Sequence, residues 1–497
     1  MSRKTVTRKE SGRNNRRRKG QIYDVLYGFI RLTETEEAII NSPYYQRLRW
    51  IKQLGFANYI FDGAEHTRFA HAIGVLHSAD QMVRSLGKNV SDEKLFDDAA
   101  DRATLFHKSI RIAALLHDIG TFPFSHSIEG AYIRYGESLR NSGKLPGKQL
   151  PSNHEHLGSF IIKNTGFKGG ISRILEDANL DSATISKIIK GDSDDLLANQ
   201  ILHSDIDADR MDYLLRDAHH TGIKYGHIDR DYILHHLSTF ELHDGKPGTK
   251  REVLAVKENA LHAVEDFLIA RFSWYSQVVR NSSSAKYDIL AAHIAHYLLE
   301  QGLIYRYAEL FDLVVKDPER FFGFNDVYFM SRAQDLYWSG KVKDTVLHEQ
   351  LRMLIYRIPP RTLRFPECEH RILEVESDGG THWKIPVVKK LQDKIGEINE
   401  LFREHGSGKE WIIADVPVKD VMFTKDAHSI RKGGAAENPY SARDPIKVVD
   451  SNGRPTLLVE RENSLVAKLS RYVNFIPNVY ANEAAYELLK ARKFLEA

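Results

Sequence analysis

Cysteine is nearly missing from this sequence. Cys368 is the only one in 497 residues, so no disulfide forms within the chain and nothing calls for an oxidising compartment. Long apolar runs are missing as well. No uninterrupted stretch approaches the ~20 residues of a membrane-spanning helix, and the basic opening lacks the apolar segment of a secretory signal. A cytoplasmic protein with no membrane partner is the expectation. Nor does one charge dominate: 70 Lys and Arg stand against 67 Asp and Glu, a formal net charge of +3, which argues against wholesale coating of nucleic acid. No internal repeat or long low-complexity tract is visible.

The even charge balance has one local exception. Nine basic residues between Arg3 and Lys19 crowd the amino terminus, so residues 1–19 read as a disordered tail. Its charge suits weak contact with nucleic acid at low salt, or simple solubilisation. At this length one core is rarely enough, and two or three structural units are expected. Residues 20–360 read as helix after helix, clearest over 67–86, 103–118, 154–164 and 205–217. A hairpin near 237–256, TFELHD and REVLAV around GKPGTK, interrupts them before a long helix from about 257 to 279. From 361 to 497 the character changes: Gly379 and Gly380 suggest an irregular crossing, EWIIADVP reads as a strand, IKVV and TLLV flank the hairpin signal Asn452-Gly453, and EAAYELLKARKFL is an amphipathic helix. The predicted fold is mainly α, a helical core with a smaller mixed α/β C-terminal portion.

Ionisable residues on apolar helices carry the functional argument. ALLHDIGTFPFSH (114–126) sets His117 and Asp118 inside an apolar run, and HTRFAHAIGVLH (66–77) does the same for His71, because Phe69, Ile73, Leu76, Ala79 and Val83 form one buried helical stripe. A buried carboxylate needs a paired or coordinated partner. In SDIDADRMDYLLRDAHHTGI (204–223), Asp205, Asp209, Tyr213 and Arg216 share helical spacing and give an inward polar face. His71, His117, Asp118 and Asp209 together make a mixed nitrogen and oxygen shell for one divalent metal ion, suited to Fe, Mn, Zn, Co or Ni and less naturally to Mg. A lone His-Asp pair means little; most are surface or capping residues. Arg47 and Arg49 read equally as helix caps or as nucleotide or interface contacts. His219 and His220 read first as partners of a helix dipole before Gly222.

These segments, with GQIYDVLYGFI (20–30), QRLRWIKQLG (46–55), NHEHLGS (153–159) and ALHAVEDFLIAR (260–271), occur in an order that resembles the HD-domain phosphohydrolases. Within them the likeness is to the deoxynucleoside triphosphate triphosphohydrolases, the branch of the sterile-alpha-motif HD and bacterial dGTPase-like proteins. The resemblance implies that His71, His117, Asp118 and Asp209 are the metal ligands and that His126 and His154 lie beside the scissile phosphate, with Glu129 orienting the catalytic histidine. It implies that Arg68, Arg210, Tyr213 and Asp217 contact phosphates and sugar, and that Gln53 and Leu54 contact the nucleoside. The implied reaction splits a dNTP into deoxynucleoside and triphosphate, with water attacking the α-phosphorus while His126 or His154 protonates the leaving sugar oxygen. A cation, a polarised water and cationic clamps are what such chemistry requires. By the same resemblance a homo-oligomer, with a tetramer as the common form, is expected, and dNTP depletion against parasites is a role by association.

The sequence departs from that pattern at three places. Thr121 stands where many relatives have a histidine. In FLIARFSWYSQVVRNSSSAKY (267–287), Val279, Asn281 and Ser282 replace a tyrosine and a His-Lys pair that grip the triphosphate, leaving Arg271, Arg280 and Lys286 as nearby substitutes. Tyr23 and Asn41 stand where relatives have guanine-nucleotide contacts, so GTP activation is not expected, although some other nucleotide effector stays among the candidate partners. The competing readings are an HD-type nuclease or cyclic-oligonucleotide phosphodiesterase, and a non-catalytic nucleotide-sensing scaffold.

Overall fold

Local chemistry sets the ends of the elements that matter here. The computed structural model describes residues 20–96, 101–142, 153–226, 228–243, 250–374, 384–416, 421–423, 445–470 and 472–495. The basic tail, the centre of the GKPGTK loop and the pair Gly379 and Gly380 lie outside the described residues. The first described element is a hairpin of β1 (Gln21–Asp24) and β2 (Gly28–Arg31). Its turn uses Gly28 at φ 69° and the Asp24 carboxylate, which accepts the N–H groups of Leu26 and Tyr27.

Next come the helices that build the site. Helix α1 (Arg68–Ser85) buries Phe69, Ile73, Leu76, Ala79 and Val83, the stripe read from the sequence, and places His71 on the same inward side. Helix α2 (Arg102–Leu116) starts at Asp101, whose side chain accepts the Thr104 N–H, and it packs on α1. Helices α3 (His126–Asn141) and α4 (His154–Asn164) follow, α4 capped by the Asn153 side chain. Helix α5 (Ala208–Thr221) begins at its N-cap Asp207 and stops at Gly222, φ 74°, a left-handed cap that glycine adopts without a steric penalty. Asp205 therefore precedes the helix instead of sharing its face with Asp209.

The expected hairpin is present as β3 (Leu237–His243) and β4 (Lys250–Lys257), paired from Leu237↔Val256. Helix α6 (Leu261–Trp274) ends in a wide π turn over Tyr275–Val279, where the single helix expected to 279 breaks. Helices α7 (Ser282–Glu300) and α8 (Asp326–Trp338) complete the part needed for the site. The Asn452-Gly453 hairpin forms from β5 (Lys447–Val449) and β6 (Pro455–Leu457), and β5 runs parallel to β4, giving one sheet of order β6-β5-β4-β3. Residues beyond 361 thus share the main core, to which Trp411, Ile413, Ile446 and Val448 contribute. A smaller core of Leu363, Phe365, Leu391, Ile398, Val479 and Leu489 is closed by the terminal helix α9 (Glu483–Ala491). The fold is mainly α with a mixed α/β C-terminal region, and among the described residues no helix is long and apolar enough to cross a membrane.

Candidate metal and catalytic site

Three helices deliver the four side chains singled out from the sequence to one point. His71 comes from the first turn of α1, His117 and Asp118 from the turn that ends α2, and Asp209 from the start of α5. Ligand atoms of His71, His117 and Asp118 lie within 4.8 Å of one another. Asp209 Oδ1 is 3.0 Å from His71 Nε2 and 3.9 Å from His117 Nε2, and Asp118 Oδ2 is 3.4 Å from His117 Nε2.

Proton positions follow from the outer contacts. His71 Nδ1 donates to Asp212 Oδ2 at 2.8 Å, and His117 Nδ1 donates to the Ala114 carbonyl at 2.7 Å. Both Nε2 atoms then face the cluster, buried, and among the described residues neither makes a well-formed hydrogen bond. His71 Nε2 and the Asp209 oxygen, 3.0 Å apart, need positive charge between them, a proton or a metal ion. Burial favours the neutral ring of His71, but Asp209 and Asp212 outweigh it and push its pKa up to about 10. The cluster could hold a cation in place of that proton, and its donor set fits a divalent metal ion of borderline character.

A second group adjoins it. Glu129 accepts from His126 Nδ1 at 2.7 Å, from His154 Nδ1 at 2.9 Å and from the His154 backbone N–H at 2.5 Å. Burial alone raises this carboxyl, yet the bonds from the two histidines hold it well below the usual carboxylate range. Burial likewise opposes the charged form of His154, while Glu129, and Asp118 beyond it, raise its pKa. His154 Nε2 is 4.0 Å from Asp118 Oδ1, which joins the two groups into one site. His156, two residues on, turns to the Tyr307 hydroxyl at 3.1 Å.

The residues expected to hold phosphate, sugar and base are present around the cluster with partners of their own. Arg68 donates to Asp118 Oδ2 at 2.6 Å, to Ser125 Oγ at 2.9 Å and to the Gln53 carbonyl at 3.4 Å. Leu54 immediately precedes the turn at Gly55. Arg210 binds the Asp207 carboxylate and the Ser204 carbonyl, and Tyr213 lies against Trp274 with ring centroids 4.6 Å apart. Asp217 accepts from His66 Nε2 at 2.7 Å, both buried. Arg271 pairs with Asp205 at 2.7 Å and donates to the Phe423 carbonyl. Of the other substitute cations, Arg280 holds Asp415 at 3.0 Å and the Ile476 carbonyl, and Lys286 Nζ lies 3.5 Å from the Pro360 carbonyl. Asn281 caps α7. Arg47 is fully buried and donates to the carbonyls of Ile119, Thr121 and Phe324 at 2.8 Å each, while Arg49 stacks over Phe69.

Sequence reasoning missed two supporting carboxylates. Asp212 follows Asp209 by one helical turn, a spacing that signals a shared face. Asp326 lies on α8, far along the chain, and no local pattern announces it.

Residues 68–217 match the HD domain family, so the chain carries an HD domain, and that span contains His71, His117, Asp118, His126, Glu129, His154 and Asp209. The chain is 34% identical over 257 residues to an uncharacterized protein of Methanocaldococcus jannaschii, covering 52% of this chain and 45% of that protein. It is 30% identical over 275 residues to the uncharacterized protein YwfO of Bacillus subtilis, 54% of each. To the deoxynucleoside triphosphate triphosphohydrolase SAMHD1 of Homo sapiens it is 30% identical over 228 residues, 41% of this chain and 33% of that protein. The chain thus matches about half the length of the first two relatives and a third of the human one. Among solved structures, a hypothetical protein from Aquifex aeolicus is similar with a TM-score of 0.61 and 25% identity, over 96% of this chain and 99% of that one. A phosphohydrolase from Bacteroides thetaiotaomicron shares the fold, with a TM-score of 0.60 and 20% identity over 93% and 99% of the two chains.

Proposed function

We propose that this protein is a metal-dependent phosphohydrolase that splits deoxynucleoside triphosphates into deoxynucleoside and triphosphate. The observation that carries the reading is the meeting of His71, His117, Asp118 and Asp209 beside the His126–Glu129–His154 group, within the span that matches the HD domain. Similarity to SAMHD1 supports the choice of substrate. The four converging side chains would hold the metal ion, which when bound neutralises charge developing on phosphate and polarises water.

The chain's own groups do the rest. Glu129 occupies Nδ1 of both histidines, so Nε2 is the atom of each that carries a proton to or from the reacting phosphate and the leaving sugar oxygen. Arg68, anchored on Asp118 and Ser125, sets a cation next to that phosphate. In this reading Arg210, Tyr213, Asp217 and Arg271 take the remaining phosphates and the sugar, and Gln53 and Leu54 meet the nucleoside.

Incubation of the purified protein with each dNTP, single-stranded DNA and cyclic dinucleotides, with each divalent ion in turn, tests the reading; deoxynucleoside plus triphosphate is the expected product pair. A second reading, a nuclease or cyclic-oligonucleotide phosphodiesterase on the same centre, draws on the internal ion pairs of Arg210, Arg271 and Arg280, which engage the cations nearest the altered clamp. Nucleoside monophosphates or shortened strands would favour it. Absence of turnover with every metal would remove both.

A further inference from the structure

Phe124 and Ser125, the two residues before His126, both have positive φ, 49° and 54°. Ser125 combines it with ψ −128°, a backbone state that suits glycine, so a turn built from these two residues persists only where its surroundings hold it. One carboxylate far along the chain supplies much of that hold. Asp326, the first residue of α8 and 6% exposed, accepts the Phe124 N–H through Oδ1 at 2.6 Å and the Lys52 N–H through Oδ2 at 2.9 Å. From the same helix the Phe329 ring meets Phe124 edge-on at 5.9 Å, and Phe124 stacks on Phe56 at 4.0 Å.

Lys52 belongs to the segment that opens into α1. It forms a bridge with Thr67, and Arg68 N–H donates to the Ile51 carbonyl at 2.9 Å. Ser125 Oγ closes the knot by donating to the Lys52 carbonyl at 2.8 Å and accepting from Arg68 Nε at 2.9 Å. The carboxylate therefore ties the turn that precedes His126 to the segment that precedes His71. Two N–H donors facing two oxygens suit an aspartate; an asparagine would set its own NH2 against one of them.

We propose that Asp326 is a positioning residue of this site, whose grip on the amides of Phe124 and Lys52 holds the strained turn that aims His126. The kinetic part of this inference rests on the phosphohydrolase reading; the structural part does not.

The test compares the full-length protein with Asp326→Asn by hydrogen–deuterium exchange, thermal melting and dNTP hydrolysis. Exchange over residues 121–126 and 50–54 is expected to quicken at least tenfold while α1 and α2 keep their protection. The kcat is expected to fall at least tenfold with KM within about twofold. Unchanged exchange in these two segments, or exchange quickened throughout the molecule with kcat and KM altered together, overturns the proposal. If Asp326→Asn does not accumulate as folded protein, Asp326→Glu takes its place, since it keeps both oxygens and shifts them by one methylene; the same changes are expected, and parental exchange and kcat overturn the idea. A parent enzyme without dNTP turnover defeats the proposed function while leaving the exchange comparison to decide on Asp326.

Discussion

Asp212 Oδ2 lies 2.8 Å from Nδ1 of His71, and the same carboxylate takes the Arg216 guanidinium through Nε and Nη2 at 2.9 Å each. Arg216 continues to Asp24 on the first hairpin, also at 2.9 Å. This buried chain fixes the tautomer of His71 and turns Nε2 toward Asp209 and His117. A carboxylate behind an imidazole also makes the ring a better donor to a cation.

Asp212→Asn keeps an acceptor for Nδ1 and removes the charge. Affinity for a divalent ion is expected to drop roughly 10–100-fold, measured by calorimetric titration of the apoprotein with Mn or Zn, with helix content preserved. An unchanged dissociation constant would sever the link between Asp212 and the cluster.

Glu129 divides its two oxygens between His126 and His154, so Glu129→Gln leaves one histidine facing an NH2 group and forces that ring to turn. Loss of one oriented proton carrier is expected to lower kcat by roughly 10²-fold or more at undiminished metal content. Stopped-time product assays beside metal analysis by mass spectrometry check this. Full turnover in the variant would mean that neither histidine relies on Glu129.

Asp288 tests the packing next to His126. Its Oδ1 accepts the Ser127 hydroxyl at 2.6 Å and the Phe56 N–H at 3.4 Å, next to the turn at Gly55 where any Cβ would meet Ser127, Asp288 and the Phe124 carbonyl. Burial pushes its pKa up to about 6, the Ser127 and Phe56 bonds opposing. The folded value exceeds the unfolded ~3.9, so the native state binds more protons between them, and the contribution of Asp288 to stability falls as pH rises from about 4 to about 6. Asp288→Asn removes that slope. Relative to the parent, the unfolding free energy of the variant from urea titration is expected to gain as pH rises through this window, by about 1–2 kcal/mol; a gain that appears only on acidification would refute the assignment.

Much of the candidate site is legible in the sequence because its candidate ligands sit in short segments whose periodicity can be read. The stripe Phe69–Ile73–Leu76–Ala79–Val83 locates His71 on the buried side of α1, and the apolar run before His117 buries Asp118 at the end of α2. Helical spacing puts Asp205 on the Asp209 face because the spacing runs on past an N-cap, whereas the Asp207 side chain, bonded to the Arg210 N–H at 2.8 Å, starts the helix there. The long helix through 279 breaks into a π turn that propensity does not register. Asp326 and the pairing of β5 with β4 depend on contacts between distant parts of the chain, which local patterns do not carry. The ion pairs of Arg210 and Arg271 depend on such contacts as well: each reads as a free clamp in the sequence, and each meets a carboxylate, Asp207 or Asp205, only in three dimensions.

Asp80 gives the opposite pH behaviour from Asp288, on the far side of α1. Its carboxylate binds His107 Nε2 at 2.8 Å, Arg111 Nη1 at 2.7 Å and Arg84 Nε at 2.8 Å, and Arg111 goes on to Glu36 at 2.7 Å. Burial raises the Asp80 carboxyl, but the His107 bond and the two guanidinium groups outweigh it and hold it well below its ordinary value. A folded pKa depressed in this way contributes stability that is complete above the unfolded ~3.9 and is lost as pH falls toward the folded value. Asp80→Asn leaves a buried guanidinium and an imidazole short of a charged partner, and is expected to destabilise the protein by about 3 kcal/mol at pH 7. The gap from the parent should hold at pH 5 and narrow at pH 3, because there the parent's unfolded chain takes up a proton at Asp80 while the folded state keeps the carboxylate ionised. Urea unfolding followed by circular dichroism at the three pH values measures it. A gap that stays constant to pH 3, or widens, would mean that the ionised carboxylate is not what holds α1 to α2.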